Sequence, residues 1–462
     1  MSDTLMISVS GMRGHVGTDL TPELVARHAA ALGAWVRSAA RTDAGSGARP
    51  CVVLGRDSRT SGPMFARAAA AGLMSVGVDV VDLGVVPTPT VQMAVEHHHA
   101  GAGLILTASH NPIEWNALKF VGPDGIFLDA GDGERVRALA DEGPPRSGWD
   151  GLGEVREDPG AVQRHLDAIL ALPVIDVTAI QRRGFHVAVD CVRGAGAVAL
   201  LPLLERLGCR VSGINLEPDG RFPRAPEPVP ENLGDLGRAV RESGADLGLA
   251  VDPDVDRLAV VDETGRAIGE DYTLAFAVRA VLDRRSNPAK NPTVVVNLST
   301  SLVVEDAART AGATLLRAPV GEANVARAIR DQGAVIGGEG NGGVMFPALH
   351  IGRDAPLGVA LILHLLATSG VTVAELVSAS PRYTIVKARG PRGSEMGPLY
   401  DRLRRRFADA SADDRDGLRL SWTDRWLHIR PSGTEPIVRL IAEAPTSSEA
   451  EALVAAGREL LQ

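Results

Sequence analysis

The sequence predicts an α/β architecture of four domains: three units with mixed sheets, each on a strand-helix-strand-helix-strand plan, and a smaller C-terminal α+β domain. Three observations carry the prediction. At 462 residues the chain exceeds the roughly 250–300 residues beyond which single cores stop growing. The same plan recurs three times, and each time its last apolar strand runs out into an unusual polar loop. From about Val371 the pattern changes to short strands around a basic helix. The divisions fall at 1–155, 156–262, 263–370 and 371–462.

In the first unit, an opening stretch containing Ser10-Gly11-Met12-Arg13-Gly14 precedes a helix from Thr21 to about Ala40, with Pro22 in its first turn. A strand from Cys51 to Leu54 ends in Gly55-Arg56-Asp57-Ser58-Arg59-Thr60-Ser61-Gly62. An Ala-rich helix (63–76), a strand (78–83) and a second helical stretch lead to the buried-strand run Leu104-Ile105-Leu106, which empties into Thr107-Ala108-Ser109-His110-Asn111-Pro112. The second unit opens at His186-Val187-Ala188-Val189-Asp190, alternates helices with strands at 209–214 and 247–251, and empties into Asp252-Pro253-Asp254-Val255-Asp256-Arg257. The third opens at Thr293, passes helices at 302–312 and 324–332, and its strand 334–336 runs into Gly337-Gly338-Glu339-Gly340-Asn341-Gly342-Gly343. Ligands of open α/β sheets bind beyond the carboxyl ends of strands, so three such units side by side point their loops into one cleft. In the last domain, strands at 383–387, 418–422, 426–430 and 438–443 surround helices at 399–407 and 447–461, a domain suited to closing over that cleft.

Bulk properties exclude several classes. A net charge of -9 and a pI near 5.7 give no reason to expect a nucleic-acid partner. Cys51, Cys191 and Cys209 show no CxxC spacing and read as buried thiols of a reducing compartment. The amino terminus lacks a basic region followed by an apolar core, and the longest apolar segment, Leu357 to Ala367, is interrupted by His364 and too short to span a bilayer. The expected setting is the cytoplasm, with no membrane partner.

Each loop offers a chemistry and a plainer alternative. Ser109 at a strand's carboxyl end can be a nucleophile, given a base or a charge-stabilising environment; adjacent His110 is expected to point away on such a turn. Alternatively Ser109 and Asn111 bond nearby backbone in a turn that Pro112 stops. Asp252, Asp254 and Asp256 crowd three carboxylates into five residues, which a cation must neutralise. A calcium EF-hand fits less well than magnesium, because Arg257 stands at the sixth position and the flanks are strand-like; a solvated acidic turn is the plainer reading. Arg430-Pro431-Ser432-Gly433-Thr434-Glu435-Pro436, with Arg439 behind, offers hydroxyls, exposed amides and a guanidinium to a phosphate dianion, or is a Pro/Gly turn. Gly338 to Gly343 leaves Glu339 and Asn341 to bond a ligand's hydroxyls, or is a structural glycine turn. Arg56, Ser58 and Arg59 are phosphate contacts or a helix cap, and His97-His98-His99 is placed at a negative helix end more cheaply than around a metal.

Taken together in this order and spacing, the four loops around Ser109, Asp252, Gly338 and Arg430 resemble the signature loops of the α-D-phosphohexomutase superfamily, which includes phosphoglucomutase, phosphomannomutase and phosphoglucosamine mutase. The resemblance spans essentially the whole chain. It implies a four-domain, heart-shaped fold and a reversible shift of phosphate between O1 and O6 of a hexose phosphate, through a phosphoserine at Ser109 and a hexose 1,6-bisphosphate intermediate. It further implies Mg²⁺ held by Asp252, Asp254 and Asp256 and touching Ser109. Lys119 becomes an acid or base near the reacting hydroxyl, with His110 and Arg13 completing the catalytic set. Arg13 and Arg56 are implied as arginines lining the cleft, Arg257 as steadying the group that the metal touches, Glu339 and Asn341 as sugar contacts, and Ser432, Gly433 and Thr434 with Arg430 as a distal phosphate cradle, to which Arg439 stands close in sequence. The chain departs from the usual Gly-Glu-x-Ser-Gly, often followed by histidine: Asn341 replaces the serine and Gly343 the histidine. This form is similar to the archaeal-type phosphoglucosamine mutase branch, which points to glucosamine phosphate, with glucose and mannose phosphates as alternatives. A monomer or homodimer is expected. A sugar-phosphate phosphatase and a non-catalytic sugar-phosphate-binding protein are the rival classes.

Overall fold

Continuous aliphatic runs form the strands of four sheets, described in a computed structural model over residues 5–8, 11–40, 49–283, 291–392, 396–432 and 437–461. The first sheet has seven strands in the order Met6–Ser8, Gly11–His15, Trp115–Val121, Ala102–Leu106, Cys51–Arg56, Asp79–Val85 and Val155–Glu157. The second runs Leu258–Val261, Leu247–Val251, His186–Asp190, Arg210–Ile214, and the third Thr314–Ala318, Thr293–Asn297, Ile336–Glu339, Gly343–Met345. The fourth is antiparallel throughout: Thr384–Pro391, Ile437–Ala444, Trp426–Pro431, Leu418–Ser421, Ser411–Asp413. Every residue of Ala102–Leu106, His186–Asp190 and Leu247–Val251 is buried, which is why these strands, apart from His186 and Asp190 at the ends of the second, lack polar side chains and do not alternate.

The patterning ends each of the three repeated units at its polar loop, but in the structure none of them stops there. In each, an antiparallel strand returns from the loop: Trp115–Val121, Leu258–Val261 and Gly343–Met345. The loops are therefore hairpin-like connections pinned at both ends, and Lys119 stands on the first return strand. In the third unit the strand itself extends to Glu339, because Gly337 and Gly338 pair with Val295 and Val296 despite their low strand propensity. Glu339 is thus the last residue of a buried strand rather than part of a loop.

On one face of the first sheet, helices Pro22–Ala40 and Gly62–Met74 pack so closely that a Cβ on Gly72 would come 2.2 Å from the Ala26 carbonyl oxygen. Helix Thr88–His97 covers part of the other face. The second and third sheets share one core, in which helices Glu270–Leu282 and Ala355–Ser369 are buried on almost every side. These two, with Ala130–Glu142, Ala161–Leu170 and Val177–Arg183, are additional to the helices the patterning predicts. Among the described residues no helix is long and apolar enough to cross a membrane. On the fourth sheet, helices Gly397–Arg406 and Ser447–Glu459 cover one face through Leu399, Leu403 and Leu453. Its other face docks on the third domain. There the Glu443 carboxylate accepts from the Leu302 amide (2.8 Å), the Trp426 indole (2.6 Å) and the Ser301 hydroxyl, capping the start of helix Leu302–Thr310.

Candidate active site

The serine loop is held from beneath by Arg59. Its guanidinium, fully buried, donates to the carbonyls of Ser109 (2.7 Å), Asn111 (2.7 Å), Pro112 (2.6 Å) and Trp115 (2.9 Å), and its Nε donates to Asp57 at 3.0 Å. Asp57 also accepts from the Thr107 hydroxyl at 2.7 Å, and Thr107 Oγ1 in turn accepts the Ser109 amide at 2.9 Å. Arg59 is therefore loop framework, neither the phosphate contact nor the helix cap that the sequence leaves open. Arg59→Lys retains the charge but loses the planar fork that serves four carbonyls. We expect at least a tenfold lower kcat and a loss of about 2–3 kcal/mol of stability, on the scale of one or two charged hydrogen bonds; kcat unchanged within a factor of two in that variant would contradict this role.

Ser109 itself has φ +47, a left-handed conformation that costs a non-glycine residue roughly 1–2 kcal/mol and is found where function requires it. This conformation turns Oγ toward the second domain, where it donates to Asp252 Oδ2 at 2.7 Å. The His110 ring does not point away: Nδ1 lies 3.3 Å from Ser109 Oγ. The Arg257 charge, then burial and Arg13, hold His110 well below the ordinary histidine range and keep the ring neutral. Arg13 donates to Asn111 Oδ1 at 2.7 Å, tying the Gly11–His15 strand to the same loop.

The three aspartates meet Ser109 from the second domain. All are buried, and one carboxylate oxygen from each lies within 4.8 Å of the others. Asp252 Oδ1 accepts the amides of Asp256 and Arg257, both at 3.2 Å, around a left-handed Val255 (φ +63). Asp254 Oδ2 accepts from Lys119 Nζ (2.7 Å) and the Thr88 hydroxyl (2.9 Å), and its carbonyl accepts the Thr88 amide (2.8 Å) at the start of helix Thr88–His97. Burial, reinforced by Asp254 and Asp256, pushes Asp252 well above the usual carboxylate range. Burial acts the same way on Asp254, but Lys119 together with hydrogen bonds from Asp252 and Thr88 outweighs it and holds that group down. Asp254 Oδ1 and Asp256 Oδ1 are buried acceptors with no hydrogen-bond partner among the described residues. Two orphaned carboxylate oxygens beside a serine hydroxyl are a donor set that suits a hard divalent cation such as Mg²⁺.

Lys119 Nζ also lies 3.9 Å from Asp256 Oδ2. Burial disfavours its charge, yet Asp254 and Asp256 prevail and raise it above the ordinary lysine value. Asp256 Oδ2 accepts from Arg353 at 2.7 Å, and the same guanidinium donates to Glu339 Oε2 at 2.8 Å. Glu339 further accepts from Asn297 Nδ2 (2.8 Å) and the Gly321 amide (3.1 Å), while Asn341 Oδ1 accepts the Gly343 amide (3.2 Å). Arg257 donates to Glu227 at 3.1 Å.

A cavity of about 870 Å³ opens between this centre and the fourth domain, bounded by His110, Asp271, Ser301, Lys387, Arg439 and Glu443. Arg439 stands directly across the strands from Arg430, which pairs with Asp416 at 3.1 Å. The Ser432 amide donates to the Ile437 carbonyl at 2.8 Å. Gly433 and Thr434 lie outside the described residues, as does Ser10 of the opening stretch. Arg56 is not gathered around Ser109: it donates to the Asp57 carbonyl at 3.3 Å and lines a separate hollow with Arg67 and Asp82. His98 pairs with Asp158 at 2.7 Å instead of joining a histidine metal cluster. Burial lifts the half-buried Cys209 to about 12, and Cys191 is buried, so neither offers a thiolate. Thr88, Asn297 and Arg353 carry no local sequence signal; only Asp354, an acidic cap before Ala355-Pro356, has one.

Comparison with known proteins gives the same picture along the chain. The phosphoglucomutase/phosphomannomutase alpha/beta/alpha domains I, II and III match residues 5–145, 163–265 and 269–383, and the C-terminal domain matches 392–460. A Methanopyrus kandleri protein named "probable phosphoglucosamine mutase" is 39% identical over 96% of this chain and 95% of its own. A phosphoglucomutase/phosphomannomutase of Thermococcus kodakarensis is 37% identical over 98% and 97%. The crystal structure of a phosphoglucomutase/phosphomannomutase family protein from Burkholderia thailandensis superposes with a TM-score of 0.84 at 26% identity, over 99% of this chain and 98% of that one.

Proposed function

Because the chain belongs to the phosphoglucomutase/phosphomannomutase family and is a mutase, and so an isomerase, we propose that it moves phosphate between O1 and O6 of a hexose phosphate, with glucosamine phosphate as the preferred substrate. The observation that carries the reading is the meeting of Ser109 Oγ with Asp252 at 2.7 Å, beside two orphaned aspartate oxygens and Lys119.

In this reading Ser109 is carried as phosphoserine. A sugar hydroxyl attacks its phosphorus, the bond from phosphorus to Ser109 Oγ breaks, and a bond to the sugar oxygen forms. Lys119, kept protonated by Asp254 and Asp256, gives a proton to Ser109 Oγ as it leaves and takes the hydroxyl proton in exchange. The hexose 1,6-bisphosphate then turns over in the cleft and returns its other phosphate to Ser109. Mg²⁺ held by Asp252, Asp254 and Asp256 supplies charge neutralisation at the phosphoryl oxygens when bound. Phosphoryl transfer needs chiefly positioning and neutralised charge. Arg13, Arg257 and neutral His110 line the reacting end, Glu339 and Asn341 address the sugar, and Arg430, Ser432, Gly433, Thr434 and Arg439 address the phosphate that is not reacting. The cytoplasm is the setting we propose.

The glucosamine assignment is supported by the Gly-Glu-Gly-Asn-Gly-Gly form of the sugar loop and by the name of the M. kandleri relative. It is tested by measuring kcat/KM for glucosamine 6-phosphate, glucose 1-phosphate and mannose 1-phosphate side by side, with Mg²⁺ and the matching bisphosphate. We expect at least a tenfold preference for glucosamine phosphate. Comparable values would make the enzyme a broad phosphohexomutase, and release of free phosphate in proportion to substrate consumed would make it a phosphatase.

A further inference from the structure

Position 343, where the family form often has histidine, is glycine, and the structure shows what fills the space. A Cβ built on Gly343 would lie 2.3 Å from Arg353 Cδ and 2.8 Å from its Cγ. Arg353 occupies that space with a buried side chain whose guanidinium joins Asp256 of the aspartate loop at 2.7 Å to Glu339, at the end of the strand before the sugar loop, at 2.8 Å, with Glu322 at 3.1 Å. A planar fork between two carboxylates fixes their separation and orientation together, which a point charge on a flexible stem does not.

Arg353 is itself held from behind. Its amide donates to Glu322 Oε1 at 3.2 Å, and the next residue, Asp354, caps helix Ala355–Ser369 while Oδ2 meets His165 Nε2 at 2.7 Å and His350 Nε2 at 3.0 Å. His165 Nδ1 shares a 2.9 Å hydrogen bond with Thr90, two residues along from the Thr88 that bonds Asp254. These two histidines and Asp354 could be taken for a second metal centre. Their spacings are those of hydrogen bonds, however, and shorter than the roughly 3.3 Å that ligands at 2.0–2.1 Å from a tetrahedral zinc keep between them. The cluster is a buried brace joining the first three domains behind the site.

We propose that Arg353 is a positioning residue that aligns the metal-binding Asp256 with the sugar-binding Glu339, and that residue 343 is glycine because a side chain there would displace it. The Gly343/Arg353 pair is this chain's alternative to a side chain at position 343. The inference rests on the magnesium and sugar roles proposed above for Asp256 and Glu339.

Gly343→Ala, Arg353→Ala and the double variant test it, each as the full chain, by Mn²⁺ affinity from electron paramagnetic resonance, thermal midpoint, and KM for the hexose phosphate. Gly343 sits in a strand with ordinary backbone angles that alanine adopts freely; the added methyl would also come 3.1 Å from Asn341 Oδ1, but Asn341 is not among the proposed metal ligands, so Mn²⁺ affinity in Gly343→Ala reports on the displacement of Arg353. We expect each single variant to weaken Mn²⁺ binding at least tenfold and to raise KM. Without Arg353 the added methyl meets neither Cγ nor Cδ, so in Mn²⁺ affinity the double variant is no worse than Arg353→Ala alone. Wild-type Mn²⁺ affinity in Gly343→Ala, or losses that add in the double variant, would overturn the proposal. Should Arg353→Ala fail to fold, Gly343→Ala alone decides, since unchanged Mn²⁺ affinity in it is sufficient refutation. An unmodified chain that binds no Mn²⁺ would instead refute the metal assignment itself, and non-additive thermal midpoints would still establish that the two residues compete for one space.

Discussion

Ser109→Ala is expected to lower kcat by at least about four orders of magnitude, the scale seen when a covalent nucleophile is removed, equivalent to about 5.5 kcal/mol of transition-state stabilisation. The fold should survive. Alanine adopts the left-handed backbone of Ser109 at a cost comparable to serine's, and Asp252 keeps the amides of Asp256 and Arg257 as donors. The thermal midpoint should therefore stay within a few degrees while mutase turnover disappears. Turnover within a hundredfold of the unmodified enzyme would remove Ser109 from its assigned role.

The second large effect is expected at Asp254. Asp254→Asn removes one of three buried carboxylates and replaces the orphaned Oδ1, or its partner oxygen, with an amide that cannot ligate a hard cation through nitrogen. It also takes the charge from beside Lys119, 2.7 Å away, so the lysine loses the main interaction holding its proton. We expect kcat to fall by about a hundred- to a thousandfold, as when one preorganised charge-stabilising group is lost, and the Mg²⁺ concentration for half-activation to rise at least tenfold. A variant with the same Mg²⁺ requirement as the unmodified enzyme would contradict the metal assignment.

Much of this site is legible in the sequence, for a physical reason. The groups proposed to ligate one cation, Asp252, Asp254 and Asp256, come from a single loop, as do Ser109 and its neighbours, so each set stands together in the chain, and the aspartates stand out by charge crowding. The groups that hold those loops in place do not. Arg59 works on four backbone carbonyls, which have no sequence signature. Arg353 reaches Asp256 across 97 positions. The return strands are legible only in part, since Gly343–Met345 has three residues and too little length to show an alternation. Helix Glu270–Leu282 is buried around most of its circumference and lacks the polar face by which a surface helix is recognised. Arg56, three residues before Arg59 and the last residue of strand Cys51–Arg56, illustrates the converse: proximity in sequence to a site residue does not bring its guanidinium to the site.

The central claim, that Ser109 carries the phosphoryl group, is tested most directly by label transfer. The enzyme is incubated with hexose 1,6-bisphosphate radiolabelled in phosphate, proteolysed, and the labelled peptide sequenced; a parallel sample is chased with unlabelled hexose monophosphate. The account predicts label on Ser109 alone, approaching one group per chain, and its return to sugar bisphosphate during the chase. Label that never reaches Ser109, or that leaves it only as free phosphate, would contradict the account.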